Sequence, residues 1–118
     1  MTRENKELLV KDLSCRIHYG VMASTKLGSN IIVSFIGDDI IKGEDGDSYD
    51  ISFIKPYLRP MSSMTEEQNK EWLYTLSSDY HITYDTVDWC NKNHFDYRGL
   101  IEKGLAIEAP EGMYNFNK

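Results

Sequence analysis

The sequence predicts an α+β fold: a small curled antiparallel β-sheet or partly open barrel in the N-terminal half, followed by two to three short helices. Three observations lead to this prediction. Short segments rich in β-branched residues, separated by glycine and aspartate turns, fill the chain before residue 54. Two prolines, Pro56 and Pro60, then interrupt regular structure. From Thr65 onwards, apolar residues recur at helical spacing.

The N-terminal half is predicted to contain four to six short strands. Residues 1–6 are polar and are expected to fray at the end of the chain. Apolar residues then alternate loosely, and Gly20 permits a bend or bulge between two extended segments. Strands as short as these bury little surface in a flat sheet, so we expect the sheet to curl. Strands are predicted at residues 8–24 (one or two), 31–36, 40–42 and 49–54.

A proline-rich connector, residues 55–64, separates the two halves. Each proline fixes its φ angle and lacks an N–H donor, so neither a strand nor a helix is expected to run through Pro56 or Pro60. Flexible linkers are rich in glycine and serine, whereas this one is stiff. We therefore expect one domain over residues 1–118, with a strand-rich part, the connector, and a helical part with an irregular tail. These three parts are residues 7–54, 55–64 and 65–118.

The connector also carries the apolar side chains of Tyr57, Leu58 and Met61. Side chains of this kind are expected to be buried when they lie in a stiff crossing between two parts of one domain. We expect them to pack the sheet against the apolar face of the first helix; the alternative is that Tyr57 and Leu58 are exposed and form a docking surface for a partner. That face comprises Trp72, Leu73 and Leu76.

Two helices have clear start signals. Thr65 and Gln68 form a capping box, in which a hydroxyl and an amide satisfy the first backbone N–H groups of a helix. The first helix is therefore predicted to cover residues 65–77. Thr83 is a suitable N-cap for a second helix, which is predicted to cover residues 84–93.

A third short helix is predicted near the C-terminus. Asp96 has the side chain of an N-cap residue, and Gly104 suits the left-handed position that ends a helix. Residues 106–114 contain a proline and a glycine and are predicted to form an irregular tail.

Composition restricts the classes of function. The 118 residues include 19 acidic and 13 basic residues, for a net charge of −6, which argues against DNA binding through a basic face. No apolar run approaches the roughly 18 residues of a membrane-spanning helix, so no membrane association is expected. Only Cys15 and Cys90 are present, which argues against a disulfide scaffold and for a cytoplasmic protein.

Two segments carry a resemblance to a known group of proteins. They read KPYLRPMSSMTEE, at residues 55–67, and HFDYRGLIEKGLAIEAPEGMY, at residues 94–114. In these segments the chain resembles short proteins of prophages and mobile elements in gut anaerobic bacteria. The resemblance implies a bacterial or phage origin and an intracellular protein, and it brings no activity, cofactor or catalytic residue to this chain.

Cys15, His18, Cys90 and His94 have the residue types of a Cys2His2 zinc site. Cys90 and His94 are four apart, which places them on one face of a helix. Cys15 and His18 are three apart, which would point them to opposite faces of a strand. We therefore predict that the chain binds no metal and no other cofactor, and we assign no catalytic residue.

The densest polar and aromatic stretch covers residues 93–99. Arg98 could grip a carboxylate or a phosphate through its planar guanidinium. Asp96 fits a structural role as a helix cap better, whereas Tyr97 and Arg98 fit a binding surface and a structural role equally. The predicted binding residues are Tyr57, Arg59, His94, Tyr97 and Arg98.

Two classes of function remain open. The sequence favours a non-enzymatic binding or adaptor module for a macromolecular partner, a protein rather than a nucleic acid, and leaves the oligomeric state open. The alternative is a small metal-assisted hydrolase or nuclease-like enzyme that uses His94 and Asp96 with the carboxylates of Asp85 and Asp88. One converging polar pocket would indicate the enzyme, and one flat surface patch would indicate the binding module.

Overall fold

The structure, a computed structural model, describes residues 1–114. Over these residues three α-helices surround an open, mostly antiparallel six-stranded sheet, so the predicted α+β fold class is confirmed. The helices are α1 (Arg3–Arg16), α2 (Glu66–Thr75) and α3 (Tyr84–Lys92). The strands are β1 (Met22–Ser24), β2 (Asn30–Ile36), β3 (Ile40–Gly43), β4 (Ser48–Asp50), β5 (Lys55–Leu58) and β6 (Ile107–Glu108).

Helix α1 replaces the strand that was predicted from residue 8. Thr2 accepts a hydrogen bond from the N–H of Asn5 and caps the helix, so the predicted frayed end at residues 1–6 is also wrong. Leu9 and Leu13 are fully buried, and residues four apart lie on the same face of a helix. Leu9 and Leu13, whose alternating pattern suggested a strand, therefore lie on the buried face of a helix, and only β1 at the end of that segment is extended.

The strands follow the order β4-β3-β2-β1-β5-β6 across the sheet. All neighbouring pairs are antiparallel except β5 and β6, which run parallel. The register of β2 against β3 shifts between Val33 and Phe35. This irregularity leaves Val33 in the core and turns Phe35 outward, opposite Lys42 on the exposed face.

The strand that was predicted for residues 49–54 is shorter than expected. After β4 the chain forms a single turn of 3₁₀-helix over Ile51–Phe53. The carboxylate of Asp50 accepts hydrogen bonds from the N–H of Ser52 at 2.9 Å and from its hydroxyl at 2.7 Å. An aspartate that bonds to the backbone two residues ahead favours a turn over a strand, which explains the early end.

The expectation that no strand runs through Pro56 is wrong, because Pro56 lies within β5. Alternate residues of a strand direct their backbone groups to the same edge. Leu58 accepts the N–H of Ala109 beyond β6, so Pro56, two residues earlier, faces that side as well. Pairing with β6 begins only at Tyr57, and the missing N–H of Pro56 therefore leaves no ladder hydrogen bond unmade.

Two groups of buried apolar side chains form the core. The larger group lies between α1 and the inner face of the sheet. The smaller group surrounds Leu58, which is fully buried as predicted, and it contains Leu100, Leu105 and Ala106. The predicted partner of Leu58 is wrong: Leu73 of the α2 face is exposed, and the C-terminal segment covers Leu58 instead. The larger group comprises Leu9, Leu13, Val21, Ala23, Ile31, Val33, Ile41, Ile51 and Ile54.

The capping predictions for the first two helices are confirmed. Thr65 and Gln68 form a complete capping box at the start of α2, and Thr83 and Thr86 form another at the start of α3. In each box the hydroxyl accepts a backbone N–H of the first turn, while the second side chain bonds back to the N–H of the cap. These signals are local in sequence, which is why they could be recognised.

The predicted third helix is wrong, because residues 96–104 form a series of turns. Asp96 still acts as a cap: its carboxylate accepts the N–H groups of Leu100 at 2.8 Å and Ile101 at 3.0 Å. Gly104 adopts the expected left-handed conformation, with φ of 73°. Beyond it, β6 lies in the segment that was predicted to be irregular and pairs with β5.

Candidate functional site

A buried cluster of three charged side chains joins helix α1 to the turns that follow α3. Asp12 and Arg16 lie four apart on α1, and both are inaccessible to solvent. The Nε of Arg16 donates to Asp12 at 2.9 Å, and the Nη1 of Arg98 donates to the same carboxylate at 2.8 Å. Two guanidinium groups therefore share one buried carboxylate, which leaves one net positive charge in the cluster.

Backbone carbonyls help to balance this excess positive charge. Arg16 donates to the carbonyl oxygens of Cys90 at 3.3 Å and of Phe95 at 2.6 Å. The ring of Tyr97 contacts the guanidinium groups of both Arg16 and Arg98. A buried guanidinium is tolerated when its N–H groups are satisfied in this way, so the cluster joins α1 to α3 and to the C-terminal segment.

Two of the predicted binding residues belong to this cluster. Tyr97 is half-buried and donates its hydroxyl proton to Asn91 at 3.0 Å. Burial acts to lower the pKa of Arg98, but the hydrogen bond and charge interaction with Asp12, together with the contributions of Tyr97 and Cys15, outweigh that effect, and the pKa lies above the usual value. Both side chains therefore make specific contacts inside the chain, with part of each still exposed to solvent.

Tyr57 and Arg59, also predicted to bind, lie on or just after β5. The hydroxyl of Tyr57 donates to Asn30 at 2.8 Å. Arg59 donates to Gln68 at 3.0 Å, and its guanidinium lies 4.2 Å from the centre of the Phe95 ring. Burial lowers the pKa of Arg59. Both side chains are half-buried, and that they bind a partner stays a prediction.

His94, the fifth predicted binding residue, is fully buried. Its ring stacks on Tyr114 at 4.1 Å between centroids, and its Nε2 donates to the carbonyl oxygen of Tyr19 at 2.9 Å. Burial lowers the pKa of His94 to about 4. The imidazole is therefore neutral at pH 7, and its backbone holds a left-handed φ of 59°.

The residues named for the alternative enzyme have other roles. The Asp96 carboxylate caps a turn, and Asp88 accepts the hydroxyl proton of Tyr19 at 2.8 Å. Asp85 is exposed in the first turn of α3. Within residues 1–114, no group of three or more histidine, cysteine or acidic side chains could hold a metal ion. The described residues therefore show no converging set of the kind that a metal-assisted hydrolase needs.

The four residues considered for zinc differ in exposure. Cys90 and His94 are buried, Cys15 is half-buried, and His18 is exposed. Burial raises the pKa of the Cys90 thiol, and neighbouring Arg16 and Trp72 oppose only part of that rise. A raised pKa disfavours the thiolate form that binds metals and acts as a nucleophile.

A cleft of about 550 Å³ lies beside Arg59, between the turn after β5 and the segment after β6. Arg59 contributes a positive charge to it, whereas Glu108 and Glu111 contribute negative charges. Tyr114, the last residue that the structure describes, also lines this cleft. The cleft therefore brings together one predicted binding residue and the C-terminal segment.

Exposed apolar side chains concentrate where α2 meets α3. Tyr74 lies in the last turn of α2 and Tyr84 begins α3, while Tyr80 and Ile82 lie in the connecting loop. Their exposed fractions are 90% for Tyr74, 78% for Tyr80, 68% for Ile82 and 88% for Tyr84. We call these four residues the α2–α3 corner. Single exposed apolar residues are ordinary, but four within eleven positions are not.

The loop of the α2–α3 corner has a defined conformation. Tyr80 holds a left-handed φ of 61°, which is unfavourable for a bulky side chain. The N–H of Tyr80 donates to the carbonyl oxygen of Ser77 at 2.8 Å, and the N–H of Ser77 donates to that of His81 at 3.0 Å. The Ser77 hydroxyl also accepts the N–H of His81 at 3.0 Å. These hydrogen bonds hold the strained residue in place.

Two threonine hydroxyls fix the ends of the helices to each other. Thr83 and Thr86 both donate to the carbonyl oxygen of Thr75, at 2.7 Å and 3.0 Å. Thr75 is the last residue of α2, so its carbonyl has no partner within that helix. The bonds therefore close the end of α2 against the start of α3, and residues 74–84 form one compact end of the helix pair.

Two other exposed aromatic rings, those of Phe35 on β2 and Phe53 in the 3₁₀ turn after β4, differ in one respect. The ammonium of Lys26 lies 4.3 Å from the centre of the Phe53 ring, and that of Lys42 lies 5.5 Å from that of Phe35. No cation among the described residues lies over a ring of the α2–α3 corner. The tyrosine rings of the corner therefore have no cation over them among the described residues, whereas Phe35 and Phe53 each have a lysine ammonium over the ring.

Sequence reasoning missed both the buried cluster and the α2–α3 corner. An acid and an arginine four apart, as Asp12 and Arg16 are, would have been a recognisable pair once the segment was read as a helix. The corner has a signal in the spacing of Tyr74, Tyr80 and Tyr84 around a short loop. Whether those rings are exposed depends on the tertiary structure, so the sequence spacing of the three tyrosines could not predict it.

Comparison with protein-family models, with curated proteins and with solved structures returned no match for this chain. Within the described residues, every helix is too short or too polar to cross a membrane.

Proposed function

We propose that this chain is a non-enzymatic binding module that contacts a protein partner through the α2–α3 corner. The observation that carries this proposal is the exposure of Tyr74, Tyr80, Ile82 and Tyr84 within one short segment. Tyrosine is enriched at the energetically dominant positions of protein interfaces, because its ring offers a large apolar area and its hydroxyl a polar group. A protein partner can cover both parts at once.

The rigidity of the loop supports the same proposal. Binding is weakened when flexible side chains and loops must be ordered, so a surface that is already ordered binds at a lower entropic cost. The bonds from Thr83 and Thr86 to Thr75, and those around Ser77, order the α2–α3 corner in advance. Tyrosine adds to this effect because its side chain has only two rotatable torsion angles.

The setting of the protein is part of the proposal. A cytoplasmic location is supported by the presence of only two cysteines, both of them free. An origin in a prophage or mobile element is supported by the sequence resemblance at residues 55–67 and 94–114. Neither feature identifies the partner, and both are compatible with an adaptor that acts on a protein of the bacterial cell.

A peptide selection tests the proposal while the partner is still unidentified. A random peptide library is selected against the whole chain, and bound peptides are mapped by amide chemical shifts in NMR. We expect the enriched peptides to shift residues 74–84 and to lose binding to a Tyr74→Ser, Tyr84→Ser variant.

The matched control for this selection is Leu27→Ser, which changes a side chain that is 92% exposed elsewhere on the surface. It should leave the binding of the enriched peptides unchanged. Peptides that map to another region, or that bind the tyrosine variant as well as the unchanged chain, would contradict the proposal.

A further inference from the structure

We propose that the partner presents a basic surface to the α2–α3 corner, one on which lysine or arginine side chains surround an apolar contact. This inference rests on the proposed function and names the chemistry of the partner. It follows from the position of the negative charges relative to the exposed tyrosines, and from the near neutrality of the rest of the chain.

The net negative charge of the chain falls mainly in residues 65–88, the segment that contains the α2–α3 corner. Residues 65–88 contain six acidic residues and one lysine, Lys70, out of 19 acidic and 13 basic residues in the chain. The remainder therefore has 13 acidic and 12 basic residues and is close to neutral. All six acidic side chains are exposed. They are Glu66, Glu67, Glu71, Asp79, Asp85 and Asp88.

Local structure explains some of these charges. Glu66, Glu67 and Asp85 lie in the first turns of α2 and α3, where an acidic side chain interacts favourably with the helix dipole. Glu71 and Asp79 have neither that position nor an ion pair among the described residues. These two charges are therefore available to a partner, and the stability of the helices does not require them.

The carboxylates are interleaved with the tyrosines. Glu71 and Tyr74 are three apart on α2, and Tyr84 and Asp88 are four apart on α3, so each pair shares one helical face. Asp79 directly precedes Tyr80 in the loop. Each exposed tyrosine therefore has a carboxylate beside it, which makes a surface of aromatic rings framed by negative charge.

Lysine and arginine complement both parts of such a surface. A carboxylate accepts charge-assisted hydrogen bonds from an ammonium or a guanidinium, and an open tyrosine ring attracts the same cations. The chain makes this second contact within itself, where Lys26 lies over Phe53. A nucleic acid is disfavoured at the corner because its phosphates would meet the carboxylates that lie beside the tyrosines.

A second copy of this chain is a poor occupant for the corner. Two copies that met through this corner would bring the carboxylates beside the tyrosines of one copy against those of the other, and these charges repel each other. The rest of the chain has 13 acidic and 12 basic residues, so it carries no net positive charge that would attract these carboxylates. The occupant that the charges favour is therefore a different, basic protein.

Two synthetic helical peptides test the inference directly. They have leucine at the same positions, and one carries lysine and the other glutamate at all remaining positions. Each is titrated into the whole chain, and amide NMR shifts give both the location and the affinity of binding. We expect the lysine peptide to shift residues 71–88 and to bind about tenfold more weakly when salt rises from about 20 mM to about 200 mM.

Two double variants test whether binding of the lysine peptide depends on charges at the corner or only on the net charge of the chain. Glu71→Gln with Asp79→Asn removes two charges at the corner, whereas Glu4→Gln with Asp47→Asn removes two exposed charges elsewhere. We expect the first pair to weaken the lysine peptide at least fivefold and the second pair to have less than a twofold effect. Equal effects of the two pairs would overturn the inference, because only net charge would then matter.

The outcomes separate this inference from the function on which it rests. If both peptides bind residues 71–88 with similar affinity and require Tyr74 and Tyr84, the corner is a docking surface but its partner is not basic. That result keeps the proposed function and overturns the inference. If neither peptide contacts the corner, and no selected peptide does, both proposals are overturned.

Discussion

The carboxylate of Asp12 lies 2.8 Å from the guanidinium of Arg98, across 86 positions of the sequence. One partner belongs to the first helix and the other to the turns that follow the last one. The contact is buried on the Asp12 side, so its hydrogen bonds are not in competition with water. The chain therefore uses a buried ionic contact, as well as apolar packing, to hold its first and last segments together.

Replacing Asp12 by asparagine should destabilise the fold strongly. The change leaves the guanidinium groups of Arg16 and Arg98 without their shared counter-charge, and removal of one member of a buried ionic cluster costs about 3–5 kcal/mol. Urea unfolding followed by circular dichroism measures this effect. Asp79→Asn, at an exposed position, is the control and should stay within about 0.5 kcal/mol of the unchanged chain. A similarly small change for Asp12→Asn would contradict the prediction.

Leu58→Ala should lower the free energy of unfolding by about 2–5 kcal/mol, as expected for a fully buried leucine. Leu58 packs against Leu100 and Leu105. The decrease in the free energy of unfolding therefore measures how much the packing of the C-terminal segment on β5 stabilises the fold. The measurement is equilibrium unfolding, with Leu27→Ala as the exposed control. If the melting temperature of Leu58→Ala stayed within about 2 °C of the unchanged chain, this smaller core would not contribute to stability.

Stability should fall as the pH decreases from 6.5 towards 4, in part because of His94. The pKa of His94 is lowered from 6.5 to about 4 in the folded chain by burial, so protons in this range bind the unfolded chain more readily. The full contribution is present above pH 6.5, and protonation removes up to about 2–3 kcal/mol by pH 4.

His94→Asn provides the comparison for this pH dependence. Asparagine does not titrate and tolerates the left-handed backbone that His94 adopts. We expect the free energy of unfolding of this variant to vary less between pH 7.5 and pH 4.5 than that of the unchanged chain. Leu27→Asn, which changes an exposed side chain that does not titrate, is the control and should show the same pH dependence as the unchanged chain. Parallel pH profiles for His94→Asn and the unchanged chain would show that His94 does not titrate as described.

Tyr80→Gly should separate stability from binding. Glycine accepts the positive φ of residue 80 without strain, so the free energy of unfolding should rise by up to about 1 kcal/mol. Binding of the peptides selected against the α2–α3 corner should weaken at the same time, because one of its three rings is lost. Tyr80→Ala removes the ring but keeps the strain, and it should therefore weaken binding without a gain in stability. Stronger binding by either variant would contradict this assignment.

Purified protein should contain no stoichiometric zinc, and a chelator should leave its melting temperature unchanged. The guanidinium of Arg98 lies 3.6 Å from the sulfur of Cys15, so a divalent cation at this thiol would meet a positive charge. Elemental analysis gives the metal content. One equivalent of zinc that disappears in both Cys15→Ser and Cys90→Ser would reverse this prediction.

How far the sequence predicts the fold depends on the distance over which each signal acts. The caps at Thr65 and Thr83 were predicted correctly because the hydrogen bonds of each capping box join residues only three positions apart. Helix α1 was missed because positions 9 and 13 fit both patterns. Both numbers are odd, as for one face of a strand, and they are four apart, as for one face of a helix. Burial of Leu9 and Leu13 against the sheet, a tertiary effect, decides between the two.

The candidate site was less predictable than the fold. The polar and aromatic stretch around Arg98 was recognised, but its partner Asp12 is too far away in sequence for any spacing rule to connect them. The α2–α3 corner depends on which apolar side chains the core leaves uncovered. Leu73, expected in the core, is exposed together with Tyr74, and no single-sequence pattern distinguishes a core residue from a docking residue.

The hydroxyl of Tyr114 reaches the backbone of two strands, accepting the N–H of Met22 at 2.9 Å and donating to the carbonyl oxygen of Tyr57 at 2.8 Å. A ribosome makes residue 114 long after β1 and β5, and Arg98 long after Asp12. The first helix and the sheet therefore emerge without the contacts that complete them. Until residue 114 has emerged from the ribosome, we therefore expect the nascent chain to be open to chaperones that bind exposed apolar segments.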